Sequence, residues 1–541
     1  MDGAAVTQLM QGMFESIDLP TTIWQTTRDR LAVCQLPQLQ AFASWRRLRG
    51  EEWRQLGPIP VYGRARTRVF AGLSGQRYSP DTSKGLFHLL PPGLGPEAHI
   101  TAALALTSPF APQPWPEPDV EFVIETVWLW QQWLPLLAKK QREILKTVHR
   151  ALRPLDQALQ RFRSTAATKV AAQKNPAFVA CLTALLRWPD VQQPLHLLQG
   201  YPIVGSVQPC GVFRKTSQEA KVNPNSWLGS SAQADLDKLL TSRPPAFARD
   251  ILDVTEAEMA KGFCGPLRSK CDLDQEFDKG NWKFLERFLV VQPDGKKRVI
   301  DNGRKSGHNA HTQMHETIST VTVDFIGTVA RMLLERMPFT DQDLSDQHPW
   351  CALRLGTDDL PNAYRGLPVC DNHLRYSNIA VLVPQVGWRF TTLYGLAYGL
   401  ESAVVAFNRF PQLGVAITRR CLLGCCAAHF DDELSVEFIR ESCVSQVGLK
   451  MVFVNSWVPR HNQLSVLCLR ATATTWAPPY MLVMHLLWEW CVSSPNLLPS
   501  GRSSPDYNRQ STPSPWTGIH QENFVAISIG CGPCVQDISA V

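Results

Sequence analysis

Asp431 and Asp432 stand together in Ala427-Ala428-His429-Phe430-Asp431-Asp432-Glu433-Leu434, between two apolar segments. Adjacent carboxylates supply the oxygen ligands that hard divalent cations such as Mg²⁺ take. A second acid pair, Asp358-Asp359, follows the apolar segment Cys351-Ala352-Leu353-Arg354-Leu355. Carboxylates that converge from two strands can hold a pair of cations roughly 3.5–4 Å apart, as in-line phosphoryl transfer requires. An isolated Asp-Asp pair is also a common solvated turn. The elements around the acids therefore decide what they can do.

Leu434, Val436 and Phe438 alternate with Ser435 and Glu437, a period of two that predicts a strand. The Asp431-Asp432 pair then lies at the turn of a β-hairpin. Cys351 to Leu355 reads as a strand that delivers Asp358 and Asp359 at its end. Leu396-Ala397-Tyr398-Gly399-Leu400 is a Gly-containing loop that feeds an apolar helix through Val404, Val405 and Phe407. Upstream, Phe288-Leu289-Val290-Val291-Gln292 precedes Pro293-Asp294-Gly295 and then Lys296-Lys297-Arg298-Val299-Ile300-Asp301. Proline fixes φ and glycine accepts a positive φ, so this is strand, turn and basic strand.

In order, Asp359-Leu360-Pro361-Asn362-Ala363-Tyr364, Tyr398-Gly399-Leu400-Glu401-Ser402-Ala403 and His429-Phe430-Asp431-Asp432 resemble motifs A, B and C of the reverse transcriptase palm. Asp359 and Gly399 are 40 positions apart and Gly399 and Asp431 are 32 apart, separations that fit the family. Asp301-Asn302-Gly303-Arg304-Lys305-Ser306-Gly307-His308-Asn309 is similar to the family's Arg-x-x-Ile-Asp-x-Arg-x-x-Asn element, with extra residues. The resemblance covers about residues 280–440. His429 stands where Tyr or Phe is usual, Tyr398 where Phe is common and Val404 where Pro is common.

The resemblance implies an α+β fold, a polymerase palm with fingers, preceded by a mainly helical region. It implies an RNA-directed DNA polymerase of a retroelement, using Mg²⁺ or Mn²⁺, an RNA or DNA template with primer, and deoxynucleoside triphosphates. Asp359, Asp431 and Asp432 would be the metal ligands, with Asp358 a competing ligand from the same segment. Tyr364 would pack under the sugar, where a ribose 2′-hydroxyl clashes. Gly399 would let the backbone approach template or nucleotide closely. Lys296, Lys297, Arg298 and Arg304 are the candidates for triphosphate contact, since ammonium and guanidinium groups suit phosphate. Two other functions stay open: a catalytically inactive nucleic-acid-binding relic of a reverse transcriptase, and an RNA-dependent RNA polymerase, which would not favour the aromatic at Tyr364.

The chain has 541 residues, of which 44% are hydrophobic, and a net charge of +6. It can bury a large core, divided among about three or four units. The expected layout is a helical region at 1–215, a fingers-like region at 216–345, a palm at 346–455 and an atypical, partly disordered tail at 456–541. Between Lys139 and Lys174 stand ten Lys/Arg and only two acids, Glu143 and Asp156, a local +8 that exceeds the whole-chain charge. That helix face suits a phosphate backbone or plain solvent. Val120 to Arg163 reads as long helix broken near Pro135 and Pro154, with Trp128, Trp130 and Trp133 on a core face. Leu197 to Phe213 reads as an irregular connection. Residues 493–516 read as loop or disorder, and no helical thumb is recognisable after the palm.

Fifteen scattered cysteines without a basic leader (the first basic residue is Arg28) predict reduced thiols and an intracellular protein, cytoplasmic or nuclear. No apolar run reaches the roughly eighteen residues of a membrane span, so no membrane partner is expected. Cys531-Gly532-Pro533-Cys534 has a redox spacing but lacks the helix that would activate it. His308, His311 and His315 lack the remaining ligands of a zinc site.

Overall fold

The computed structural model describes residues 1–37, 39, 119–120, 123–124, 134–218, 220, 222–223, 226–292, 295, 297–318, 321, 324–336, 353–360, 362–438, 444–456 and 465–468. Trp128, Trp130, Trp133, Lys296, residues 493–516 and the Cys531–Cys534 pair lie outside them.

The fold is α+β, with a helical N-terminal region and, among the described residues, three small sheets. Helices α1 (Gly3–Met13), α2 (Thr21–Ala32), α3 (Leu134–Leu159), α4 (Thr165–Val170), α5 (Pro176–Leu186) and α6 (Gln193–Gln199) come first. Pro154 lies inside α3 and does not break it. Leu145, Val148, Leu152, Leu155 and Leu159 recur at helical spacing and are buried, and that packing outweighs one lost backbone donor. The segment expected to be irregular, Leu197 to Phe213, begins in the last turn of α6 and holds strand β1 (Gly205–Val207), which pairs in parallel with β5 (Thr312–Thr317). Three helical residues and three strand residues are too short to show a period. Gly200, with φ of 89°, ends α6 against the backbone of Val369 and Cys370, where a Cβ would approach to 2.4 Å.

Strand β2 (Arg214–Gln218) pairs with β5 on its other side. Helices α7 (Ser230–Leu240), α8 (Ala248–Ala260) and α9 (Lys270–Phe277) follow, then β3 (Phe284–Val291) and β4 (Lys297–Asp301). These two strands form the expected hairpin, with Val291 opposite Lys297 and Gly295 in its turn at φ 81°. Strand β3 continues into a sheet of order β4-β3-β7-β8, where β7 is Asn378–Val383 and β8 is Gly387–Thr392.

The sheet that matters most has the order β11-β6-β10-β9. Its members are β6 (Leu353–Asp359), β9 (Cys426–His429), β10 (Asp432–Phe438) and β11 (Ser465–Cys468). Strand β11 falls in the segment read as an atypical tail and forms the edge beside β6, with Ser465 opposite Thr357. Helices α10 (Asp324–Arg336), α11 (Glu401–Leu422) and α12 (Val444–Ser456) accompany this sheet. One hydrophobic cluster runs from Val6 through Phe178, Leu360 and Phe407 to Val452, so the N-terminal helices share a core with α11 and α12. No helix among the described residues is long and apolar enough to cross a membrane.

Candidate active site

The hairpin β9–β10 turns on two residues, Phe430 and Asp431, with His429 directly opposite Asp432. Phe430 has φ of 56°. Two-residue hairpin turns need a positive φ at the first turn position, usually supplied by Gly or Asn. A Phe there costs roughly 1–2 kcal/mol, so the turn geometry is kept at some expense. The outcome is a fixed position for Asp431 at the tip, half-exposed like its neighbour Asp432.

Strand β6 lies antiparallel to β10 with Asp359 opposite Asp432 and Asp358 opposite Glu433. The Leu360 N–H donates to the Asp431 carbonyl at 3.0 Å, which pins the end of β6 to the hairpin tip. The two acid segments singled out by sequence thus meet in register at one end of one sheet. Strand alternation divides them. Asp432 shares its register position with Asp359, whereas Asp358 and Glu433 pair one step along and are both buried. Ser435 and Glu437 continue the Glu433 row. Helix α12 covers that row: Ser445 N–H donates to Glu437 Oε2 at 2.8 Å, and a Cβ on Gly356 would lie 2.4 Å from Gln446. Asp358 therefore belongs to the helix-covered side. His429 Nδ1 lies 2.8 Å from the Val321 carbonyl.

Tyr364 sits in a 3₁₀ turn, Ala363–Gly366, just after β6. Its ring stacks on Phe407 of α11 at 4.7 Å and lies 5.2 Å from Tyr398. Burial pushes its phenol above the usual range, and the nearby Asp431 carboxylate and Tyr398 push it further. Tyr364 thus neighbours Tyr398 of the loop before α11, and the Asp431 carboxylate acts on its phenol.

Gly399 was expected to admit template or nucleotide. Its close approach is to the chain itself: φ is 97° and a Cβ would lie 2.3 Å from the Asp301 carbonyl. Asn309 ties down the same loop, donating from Nδ2 to the Gly399 carbonyl at 3.1 Å and accepting from Glu401 N–H at 3.2 Å. The β4 segment and the loop before α11 are thus one packed unit.

Sequence inspection missed a buried ring of charges at that junction. Arg287 Nε donates to Asp301 Oδ1 at 2.9 Å, and Arg365 Nη2 donates to Asp301 Oδ2 at 2.7 Å. Glu258 of α8 accepts from both arginines, at 2.5 Å from Arg287 and 2.6 Å from Arg365. Burial alone would raise the Asp301 carboxyl; Arg365 and Arg287 outweigh it and hold the group below its ordinary value. Its stabilisation is present above the unfolded value of about 3.9 and is lost as pH falls through the lower folded value. Removing one member of such a ring costs about 3–5 kcal/mol. The only local signal was Arg287 in mid-strand among Phe284, Leu285, Phe288 and Leu289.

No family model matches the chain, and no curated protein matches it. Among solved structures, that of the prototype foamy virus protease–reverse transcriptase aligns at 11% identity and a TM-score of 0.25, over 47% of this chain. The chain spans 25% of that protein's length. A TM-score so low does not establish a shared fold.

The candidate phosphate ligands are not drawn to the acids. Lys297 Nζ pairs with Asp250 Oδ1 at 2.5 Å, and Arg298 Nε donates to Gln292 Oε1 at 2.8 Å. Arg304 is exposed in the turn after β4. His308 and His311 pack on Trp227, at 4.8 and 4.3 Å, and burial pushes His308 down to about 4. They are core residues, and no cluster of three metal-ligating side chains occurs among the described residues. On and after α3, Lys139, Lys140, Lys146, Arg150, Arg153, Arg161 and Lys169 are exposed, whereas Lys174 and Asp156 are buried.

Proposed function

We propose that the chain is an RNA-directed DNA polymerase of a retroelement, joining a primer 3′-hydroxyl to the α-phosphate of a deoxynucleoside triphosphate with loss of pyrophosphate. The observation that carries this is the register of Asp359 on Asp432 beside Asp431 at the hairpin tip. A solvated turn needs no second acid strand in register. Carboxylate oxygens are also the ligands that hard divalent cations take.

Asp359, Asp431 and Asp432 would hold Mg²⁺ or Mn²⁺, which supplies charge neutralisation at the phosphate oxygens and activation of the attacking hydroxyl. Tyr364 would exclude a ribose 2′-hydroxyl by its bulk. Phe407 and Tyr398 both pack on that ring. Gly399 lets its loop close on β4. Lys297, Arg298 and Arg304, on and after β4, would meet the triphosphate. An RNA or DNA template with primer would follow the exposed basic residues. A catalytically silent nucleic-acid-binding relic is the second function; the retained acid register favours the polymerase.

Mn²⁺ binding followed by electron paramagnetic resonance tests the site directly. Asp359→Asn and Asp431→Asn should each weaken Mn²⁺ binding in the presence of primer–template and nucleotide. Unchanged binding in both would contradict the assignment.

The strand β4 cations make a separate prediction. Lys297→Ala with Arg298→Ala should raise the nucleotide KM by roughly tenfold or more, because charge-assisted contacts to phosphate are worth about 1.5–3 kcal/mol each. Duplex affinity should change less. If only duplex binding weakened, both residues would contact the nucleic-acid backbone.

A further inference from the structure

The buried ring of Arg287, Asp301, Arg365 and Glu258 does more than close a core. Arg365 Nη1 donates to the Leu396 carbonyl at 2.8 Å, and Asp301 Oδ2 accepts from Tyr398 N–H at 3.1 Å. The Arg365 guanidinium lies 4.5 Å from the Tyr398 ring centre. Tyr398 is therefore fixed at its backbone by Asp301 and at its ring by Arg365. Its ring in turn lies 5.2 Å from Tyr364. Arg365 is also the next residue after Tyr364, in the same 3₁₀ turn. Two routes, one through the backbone and one through Tyr398, run from the charge ring to the Tyr364 side chain.

The geometry points to this charge ring as a positioning device for sugar choice: Arg365 and Asp301 set the place of Tyr398, and Tyr398 sets the place of Tyr364. The inference rests on the polymerase reading. A ring that excludes a hydroxyl must be held to within a fraction of an ångström, since a loose ring moves aside at little cost. Phe407 stacks on Tyr364. Tyr398 packs on it too, and the Arg–acid ring makes that support rigid. An arginine is suited to it, because its planar fork reaches two carboxylates and stacks on an aromatic face at once. The ring also joins β3 and β4 to the Tyr364 turn, so the basic strand and the sugar pocket keep a fixed relation.

The test is single-nucleotide incorporation by the full chain on a primer–template, with matched deoxy- and ribonucleotides compared as a ratio of kcat/KM. Tyr398→Leu leaves the four charges paired. It should lower the ratio by roughly tenfold, the scale of steric discrimination in such pockets, chiefly through a lower ribonucleotide KM. Tyr398→Phe should restore the wild-type ratio. Arg365→Lys should shift the ratio as Tyr398→Leu does, because Lys cannot bridge both acids and stack. Should Arg365→Lys fail to fold, Tyr398→Leu decides alone. A wild-type ratio in Tyr398→Leu, where Tyr364→Ala loses it, overturns the proposal while incorporation that depends on Asp431 keeps the polymerase. If the wild-type chain incorporates neither nucleotide and binds both equally with Ca²⁺, the polymerase and the proposal fall together.

Discussion

Asp431→Asn is expected to lower nucleotide incorporation by at least roughly 10²–10³-fold, the loss seen when one stabiliser of developing charge is removed. Asp359→Asn should do the same. Each substitution keeps the size of the side chain and removes its charge. The backbone that fixes the site should survive, because the Leu360 N–H bonds to the Asp431 carbonyl and the strand register involves no side chain. Primer–template affinity should stay nearly intact, since it comes mainly from Lys and Arg contacts to phosphates. Comparing single-turnover incorporation with duplex binding separates the two effects. Equal loss in both would mean that the carboxylates support the fold.

Tyr364→Ala should keep incorporation and admit ribonucleotides, lowering sugar discrimination by about 10–200-fold, the range for one small group at a steric pocket. The effect follows from position: the ring packs on Phe407 and Tyr398 and is close enough to Asp431 to feel its charge. Loss of a stacked, half-buried ring also costs stability, about 3 kcal/mol at the lower end for large aromatic truncations. A thermal midpoint must therefore accompany the kinetics. Unchanged discrimination would remove Tyr364 from the sugar site.

The acid site was legible because it is built from local patterns. Leu434, Val436 and Phe438 announced β10, and the acids before them then had to be a turn. Pro293-Asp294-Gly295 announced the β3–β4 hairpin in the same way. What the chain could not announce was anything that depends on residues far apart. Arg287, Glu258, Asp301 and Arg365 form one ring across separations of 14 to 107 positions, and no local period marks them. The same holds for Gly399. A glycine before a helix could face a ligand, and only the fold shows the Asp301 carbonyl in its place. Pro154 misled in the other direction, since local chemistry breaks a helix that tertiary packing keeps. Strand β1 is three residues long, too short for alternation to register.

The most direct measurement is primer extension by the purified wild-type chain on an RNA template annealed to a DNA primer, with Mg²⁺ and, separately, Mn²⁺. A two-cation polymerase site built on Asp359, Asp431 and Asp432 predicts extension by matched deoxynucleotides, arrested by a chelator and restored by the metal. A chain that binds the primer–template tightly but adds no nucleotide with either cation would contradict it.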